Sequence, residues 1–444
     1  MLQAFNLIIG VQMHKLITVF FSWFLVIWVT GLEQFVFLPI VVLGLIYFNS
    51  RRRIPNNKIF LCYLLFMLLF LFSSLQIESV FRLATYIRNI MVYASGFFVL
   101  YYYLGLRSDN FSDEKLNDLM FALFLFSCQL SIFGFLGAIG VDISFRSLAG
   151  QFLPDFGSGY LKNMLNKNVI QAEALWFGDG FHRPRGLVMY PNIMAGILSA
   201  TIPIKIFYIY KFFFRKPYFS FLIVGLIFLD AQSIIATLSR SAWVAFAFSV
   251  ATFPFLVKTS FKLKLSFVLL FVTFTAIVLS SNISDIIASR VFDKTHSNDE
   301  RFLNYWLIIH ETLSSVDRFL LGAGTQRDHS LLSIPLGSHS TYLGILFKIG
   351  FLGLAAFLLL FLNILILVRK VCRLGHMLSD KMGLYQIYSA SLGVLIIVAQ
   401  IVFIEIDVDS VFFLVWIILI VMLMIMETSL KRKWQSIKRP VLST

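Results

Sequence analysis

The sequence predicts an all-α membrane protein with about twelve transmembrane helices. Hydrophobic residues make up 59% of the 444 residues and charged residues only 14%, whereas soluble domains carry roughly a quarter charged residues. The mean hydropathy is +0.85, and the chain contains 50 phenylalanines. The apolar residues also occur in runs of about 20, which is the helix length that crosses a bilayer core. These features exclude a soluble enzyme, a disordered chain and a disulfide-rich secreted domain.

The predicted spans follow one another along the chain, mostly with short loops between them. They cover residues 15–32, 34–50, 58–75, 86–106, 117–140, 190–213, 218–238, 241–258, 263–281, 341–368, 384–404 and 409–427. The chain accordingly divides into N-terminal transmembrane helices (1–140), an outer loop (141–189), central transmembrane helices (190–281), a large outer loop (282–340), and C-terminal transmembrane helices with a basic cytoplasmic tail (341–444). The N-terminus lacks the pattern of a cleavable signal peptide, so we expect the first run to remain in the membrane.

Basic residues orient the predicted spans. With the N-terminus in the cytoplasm, 22 of the 37 Lys and Arg residues fall on the inner side and 13 on the outer side. Ten of those 13 lie in the two long outer loops, where the positive-inside bias is not expected to hold. We therefore expect both termini in the cytoplasm and both long loops outside. This role in orientation also accounts for the net charge of +14 without a nucleic-acid partner.

The second outer loop contains a predicted amphipathic helix. The stretch RFLNYWLIIHETLSSVDRFLLG places Phe302, Trp306, Ile309 and Leu313 at helical spacing. The helix is too short and polar to span a bilayer. We therefore expect it either over the mouth of the bundle or in the membrane interface.

Acidic and metal-ligating residues give weaker signals. Asp230 lies deepest in a predicted span, where it either serves the chemistry or bonds a neighbouring helix. Glu405, Asp407 and Asp409 fall in the turn between the last two spans, where we expect solvated side chains. The three cysteines and seven histidines show no metal-ligand spacing, and the chain has no Gly-rich phosphate loop. We therefore expect no metal and no cofactor.

Basic residues at the predicted outer ends of the spans form a more coherent candidate site. They are Arg183, Arg185, Arg240, Arg301 and His339. Guanidinium groups bind phosphate oxygens through paired hydrogen bonds and remain charged when partly desolvated. Such a set can hold a diphosphate while the histidine accepts a proton. Taken one at a time, the arginines also fit side chains that reach toward lipid headgroups, and the histidine fits a solvated loop residue.

Four passages contain these residues in a fixed order. They are RPRGLVMYPNIMAG, TLSRSAWVAF, RFLNYWLIIHETLSSVDRFLLGAG and SHSTYLGILFKIGFLGL. Together they resemble the bacterial O-antigen ligase and repeat-unit polymerase superfamily, whose members are polytopic membrane glycosyltransferases. The resemblance covers roughly residues 183–355. It departs from the family at Ser340, because the family commonly has Asn after its histidine.

The resemblance implies a GT-C-like glycosyltransferase that acts without a metal on the outer face of the bacterial inner membrane. It implies that His339 is the general base and that Arg240 and Arg301 bind the donor diphosphate. Further side chains implied to bind the diphosphate or glycan are Arg183, Arg185, Asn192, Trp306 and Ser340. The implied partners are an undecaprenyl-diphosphate-linked glycan donor, a glycan or lipid-linked acceptor, membrane lipid, and envelope polysaccharide assembly proteins.

The leading hypothesis is a polymerase that joins repeat units of O-antigen or exopolysaccharide. The closest alternative is an O-antigen ligase, which uses the same donor but a lipid A core acceptor. A transporter or flippase also fits twelve spans, but it predicts inverted repeats with broken helices at matching places, and the sequence shows no such pairing. A scaffold protein of envelope assembly is the remaining alternative.

The charge pattern predicts the side of the membrane on which each loop lies. A reporter enzyme that is active only outside the cytoplasm should be active when fused near Asn304 and inactive when fused near Lys264 or Arg373. Reporter activity, normalised to the abundance of each fusion, measures this. The opposite pattern would invert the topology and move the candidate site to the cytoplasmic side.

Overall fold

The structure is a computed structural model, and helices make up almost all of it. It describes residues 2–51, 54–77, 79–105, 113–141, 143–152, 166–168, 171–173, 182–257, 295–332, 335–407 and 409–438. In chain order the α-helices are α1 (Leu2–Ser22), α2 (Phe24–Thr30), α3 (Phe37–Arg51), α4 (Lys58–Ser73), α5 (Val80–Gly105), α6 (Asp113–Ala138), α7 (Leu148–Phe152), α8 (Pro191–Phe212), α9 (Pro217–Ala236), α10 (Arg240–Leu256), α11 (Thr295–Thr312), α12 (Val316–Leu321), α13 (Thr341–Leu378), α14 (Lys381–Gln400) and α15 (Ser410–Lys438). Two small antiparallel sheets pair β1 (Ser144–Arg146) with β2 (Asn166–Asn168) and β3 (Gln171–Glu173) with β4 (His182–Pro184).

Within the described residues, nine helices are long and apolar enough to cross a membrane. The predicted all-α membrane fold is therefore confirmed. The span predicted at 241–258 corresponds to α10, which is apolar but only 17 residues long. The span predicted at 263–281 lies outside the described residues.

The span predicted at 15–32 is broken by a bend. The chain bends by 83° between Gln12–Ser22 and Phe24–Thr30. A break inside a membrane must satisfy the backbone groups that it releases. Gln129 of α6 does this, because its side-chain amide donates to the Ser22 carbonyl at 2.9 Å and accepts from the Leu25 amide at 2.7 Å.

The last helix, α15, lies at the centre of the bundle. Its residues are buried from Ser410 to Met426, and it packs against α5, α6, α8, α13 and α14. By contrast, α9 exposes most of its apolar side chains, as expected of a helix that faces lipid. The apolar core is therefore built around the C-terminal end of the chain.

Helix α13 is interrupted at Gly350, where φ is 75° and ψ is −172°. The interruption leaves carbonyl groups of the preceding turn without their usual helical partners. The loop after α12 supplies donors instead, since the Ala323 amide donates to the Phe347 carbonyl at 2.7 Å and the Gly324 amide to the Lys348 carbonyl at 2.9 Å. The loop thereby completes the backbone hydrogen bonding of the broken helix.

Two glycines permit this close approach of backbones. A Cβ atom on Gly322 would lie 2.5 Å from the Ile349 amide nitrogen, and one on Gly350 would overlap the backbone of Leu320. Both glycines also have positive φ, which side-chain-bearing residues rarely adopt. Gly322 and Gly350 therefore allow the segment after α12 to dock onto α13.

The predicted amphipathic helix forms as α11, but its predicted apolar face points away from the bundle. The side chains of that face are exposed to between 47% and 74%; they are Phe302, Trp306, Ile309 and Leu313. A second face packs against the start of α13 and the loop before it through buried residues, namely Asn304, Leu307, Ile308 and Thr312. The helix therefore lies across the end of α13 with an apolar face left open, as expected of a helix in the membrane interface.

The prediction that the acids between the last two spans are solvated is wrong. Glu405, Asp407 and Asp409 expose only 6%, 1% and 0% of their surfaces. They lie in the loop between α14 and α15, residues 401–409, which we call the acid loop. The burial is possible because Lys348 pairs with two of the carboxylates and backbone amides bond the third.

Asp230 has a partner within the bundle. Its Oδ2 atom lies 2.5 Å from the Nζ atom of Lys205, and both side chains are fully buried. Lys205 also donates to the Ser131 hydroxyl at 2.6 Å. These contacts join α6, α8 and α9, which supports the packing interpretation of Asp230.

Candidate functional site

Arg183 is tied to the turn that carries Arg240. Arg183 lies in β4, and its Nε atom donates to the carbonyl of Thr237 at 2.5 Å. Thr237 ends α9, and Arg240 begins α10 three residues later. One hydrogen bond therefore ties Arg183 to the turn that carries Arg240.

The motif TLSRSAW forms the tight turn between α9 and α10. Leu238 adopts a φ of 50°, which lets the chain reverse within a few residues. The Trp243 indole donates to the Ile234 carbonyl at 3.1 Å, and the amide of Ser239 donates to the Thr237 hydroxyl at 3.3 Å. The polar residues and the aromatic residue of the motif therefore satisfy the backbone of the turn and hold Arg240 at its tip.

Helix α11 brings Arg301 together with residues 335–341, the segment that contains His339 and that we call the histidine loop. Asn304, one turn after Arg301, is fully buried, and its side-chain amide donates to the Pro335 carbonyl at 3.2 Å and the Ser338 hydroxyl at 3.3 Å. Tyr305 donates to the carbonyl of His339 at 3.3 Å. Arg301 and His339 are therefore held by neighbouring residues of one helix face.

His339 adopts a strained backbone conformation with a φ of 69°. Such conformations persist only where the surroundings hold them, and they concentrate at functional sites. Ser340 follows as the N-cap of α13, with its hydroxyl accepting from the Leu343 amide at 3.4 Å. Asn caps helices as well as Ser does, so the departure from the family pattern at this position keeps the same local structure.

Electrostatic interactions link Arg183, Arg240, Arg301 and His339. Arg301 acts on Arg183, Arg240 and His339, which places all four charges within electrostatic range of one another. Burial, followed by the charges of Arg301 and Arg240, lowers the pKa of Arg183 to about 10, so it still carries its charge at neutral pH. Three cations held together repel one another, and a bound anion offsets that repulsion.

His339 is neutral at physiological pH. Burial first, and then the positive charge of Arg301, lower its pKa to about 4, while Glu300 acts in the opposite direction. A neutral imidazole can accept a proton, whereas an imidazolium cannot. The surroundings therefore keep this histidine in the form that a general base requires.

Three other predicted site residues are not brought into this group. Arg185 follows the end of β4 and interacts with Glu33 and Tyr190. Asn192 lies at the start of α8, where its backbone carbonyl accepts a hydrogen bond from the side chain of Gln400. Trp306 lies on the open face of α11, where it stacks on His310 with ring centroids 5.2 Å apart. No contact of these three with His339 or Arg301 is seen among the described residues.

The residues that hold the histidine loop were not predicted from the sequence. Asn304, Thr341 and the acid loop all act on the segment 335–341 through buried hydrogen bonds. The signal available in the sequence was the polar Asn304 on the otherwise apolar face of a helix. The acid loop gave no comparable signal, because acids between two spans are ordinarily solvated.

A family comparison agrees with this grouping. Residues 225–358 match the family model described as O-antigen ligase. This stretch of the chain is therefore similar to the O-antigen ligase family. Arg240, Arg301 and His339 lie within it, whereas Arg183 precedes it. No curated protein matches the chain. The resemblance drawn from the four sequence passages is therefore confirmed, while the roles of the individual residues stay predictions.

His339 should titrate at a pH far below that of an ordinary histidine. We expect carbethoxylation of His339, followed by mass spectrometry across pH, to show a neutral, reactive ring down to about pH 5, because its pKa is about 4 rather than 6.5. Removing the nearby charge in Arg301→Gln should move the midpoint upward.

Arg318→Gln provides a matched control for this titration. It removes a guanidinium from the neighbouring helix α12, where Arg318 pairs with Glu311 at 3.7 Å. The His339 midpoint should not move in this variant. A wild-type midpoint near 6.5, or equal shifts in both variants, would contradict the proposed electrostatics.

Proposed function

We propose that the protein transfers a glycan from a polyprenyl (undecaprenyl) diphosphate to an acceptor hydroxyl at the outer surface of the inner membrane. The observation that carries the proposal is that separate parts of the chain bring Arg183 and Arg240 to Arg301, while helix α11, which carries Arg301, also bonds the backbone of His339. A glycosyl diphosphate donor needs positive charge at its leaving group and a proton acceptor at the incoming hydroxyl. The site contains both.

The arginines fit the leaving group. As the bond between the sugar and the diphosphate breaks, negative charge develops on the diphosphate oxygens. Arg183, Arg240 and Arg301 are held in place by a strand, a tight turn and a helix, so they need little rearrangement when that charge forms. In this proposal the guanidinium groups neutralise the charge, and no metal ion is required.

His339 fits the proton acceptor. The acceptor hydroxyl must lose a proton as its oxygen attacks the anomeric carbon. The neutral imidazole takes that proton, and the adjacent arginine charges then favour its release once the diphosphate has left. Attack from the side opposite the leaving group would invert the anomeric centre.

The membrane fold fits a lipid-linked donor. Arg240 begins the apolar helix α10, and Arg183 is bonded to the turn before it, where a diphosphate can reach them while its polyprenyl chain stays in lipid. The open apolar face of α11 lies beside the same site. Both features support a substrate that is partly in the bilayer.

The acceptor distinguishes two products. We propose a polymerase that joins repeat units, because this reaction needs only one class of lipid-linked substrate at one membrane surface. The description of the matching family model makes an O-antigen ligase the second candidate. A deletion strain that accumulates lipid-linked single repeats would support the polymerase, whereas accumulation of long lipid-linked polymer would support the ligase.

The role of His339 is tested by separating turnover from binding. We expect His339→Ala to abolish release of undecaprenyl diphosphate by the purified protein in nanodiscs, while binding of undecaprenyl diphosphate stays close to wild type, because the arginines hold it. Ser340→Asn should remain active, since it preserves the helix cap. Wild-type protein that releases no undecaprenyl diphosphate would favour a transporter or scaffold, and an active His339→Ala variant would remove the general-base role.

Arginine geometry gives an independent prediction. Arg240→Lys and Arg301→Lys should lose nearly as much activity as the Ala variants, because lysine lacks the two-pronged geometry that binds phosphate. The measurement is undecaprenyl diphosphate release per folded molecule. If lysine sustained near-normal release at either position, that arginine would serve only as a general positive charge or a headgroup contact.

A further inference from the structure

The acid loop is hydrogen-bonded to the residue two positions after His339. The Thr341 amide donates to the carbonyls of Ile401 at 3.0 Å and Ile404 at 3.1 Å. Its hydroxyl donates to the Ile404 carbonyl at 2.6 Å and accepts from the Ile406 amide at 2.9 Å. Thr341 is 1% exposed, so these bonds are made away from water. The start of α13 is thereby fixed to the acid loop.

The same loop is joined to α13 again two turns further on. The Nζ atom of Lys348 lies 2.6 Å from Glu405 and 2.7 Å from Asp407. Gln326, which follows the Gly–x–Gly turn, donates to the second oxygen of Glu405 at 2.5 Å. The acid loop therefore holds the part of α13 that precedes the break at Gly350, together with the segment after α12 that docks on it.

The loop also reaches the segment that carries the arginines. Asp409 accepts from the Met189 amide at 3.4 Å and from Gln34 at 3.2 Å. Arg88 of α5 donates to the Asp407 carbonyl at 2.7 Å. The strand of Arg183 ends only five residues before Met189, so one buried loop supports both the arginine segment and the histidine helix.

We propose that the acid loop is a positioning element for His339, acting through the Thr341 hydroxyl and the carboxylates of Glu405 and Asp407. The inference rests on the proposed function, in which His339 accepts the proton of the acceptor hydroxyl. His339 has a left-handed backbone conformation that must be held from both sides. Tyr305 and Asn304 hold the preceding segment, and Thr341 holds the following one.

Thr341 offers a near-isosteric test. Thr341→Val keeps the shape but loses the hydroxyl, so we expect kcat to fall on the order of 100-fold, as for small misplacements of a catalytic group. The KM for the lipid-linked donor should change by less than about twofold, because the arginines still bind it. Thr341→Ser restores the hydroxyl and should restore most of kcat.

Thr201→Val is the matched control. Thr201 of α8 is also fully buried, and its hydroxyl lies 2.7 Å from the Ser127 hydroxyl and 2.8 Å from the Ile197 carbonyl. It has no bond to the acid loop. We expect this variant to lose thermal stability as Thr341→Val does, but to keep its kcat per folded molecule.

The carboxylates are tested in the same way. Asp407→Asn removes one of the two negative charges beside Lys348, and Asp230→Asn removes the charge beside Lys205. Both ion pairs are buried, so both variants remove charge in a similar environment. Only Asp407→Asn should lower kcat, because only that pair holds the helix of His339.

A measurement without substrate keeps the inference independent of the enzymatic assay. The charged groups that act on His339 are Arg301 and Glu300 of α11. In the acid loop, Glu405 and Asp407 are paired with Lys348, and Asp409 accepts hydrogen bonds from backbone amides and Gln34. In Thr341→Val, His339 should leave its buried position, and its carbethoxylation midpoint should rise from about 4 toward 6.5. Thr201→Val should leave the midpoint unchanged.

The outcomes separate the two proposals. A Thr341→Val variant with normal kcat and an unchanged His339 midpoint would overturn the positioning role and leave the proposed function intact. Equal kcat losses in Thr341→Val and Thr201→Val, or failure of Thr341→Ser to recover, would also overturn it. If wild type and His339→Ala behaved alike in turnover, the proposed function would fail, while a shifted midpoint in Thr341→Val would still establish the acid loop as the support of His339.

Discussion

The structure depends on one requirement of the bilayer, which is that every backbone polar group inside it needs a partner. Helix α13 breaks at Gly350, and the break is permitted because amides of Ala323 and Gly324 bond the released carbonyls. The outer segment is therefore part of the hydrogen bonding of a membrane helix. This docking fixes α12 against α13, and through α11 it fixes the position of Arg301.

The site that results is held from several directions. Four elements each contribute one charged or titratable side chain: β4, the α9–α10 turn, α11 and the start of α13. At least one other helix separates each of them from the next along the chain. Mutual repulsion among the arginines opposes the grouping, so the scaffold must supply the energy that holds them. The Thr237 carbonyl, buried Asn304 and the acid loop are contacts of this kind. Preorganised charge of this sort suits a reaction in which negative charge develops on a leaving group.

Burial gives the ionisable residues different roles. Lys205 with Asp230 and Lys348 with Glu405 and Asp407 are ion pairs closed off from solvent, where removal of one partner would leave a buried charge. His339 is only partly buried and faces cations, so it stays neutral instead of pairing. The same low-polarity surroundings thus produce structural ion pairs at two places and a neutral imidazole at a third.

The sequence by itself determined the fold class and the chemical character of the site. Apolar runs long enough to span a bilayer exclude a soluble fold. The short motifs around Arg240, Arg301 and His339 consist of residues that are neighbours in the chain, so they can be recognised from the sequence alone. The tertiary structure alone decided which apolar face of α11 meets the protein, because periodicity shows that a face is apolar but not what covers it. It also decided that Arg185, which directly follows β4, interacts with Glu33 and Tyr190. The burial of the acid loop could not be predicted from the sequence for the same reason. Glu405 is buried because it pairs with Lys348, which lies 57 residues earlier in the chain. A pairing at that separation is set by how the helices pack.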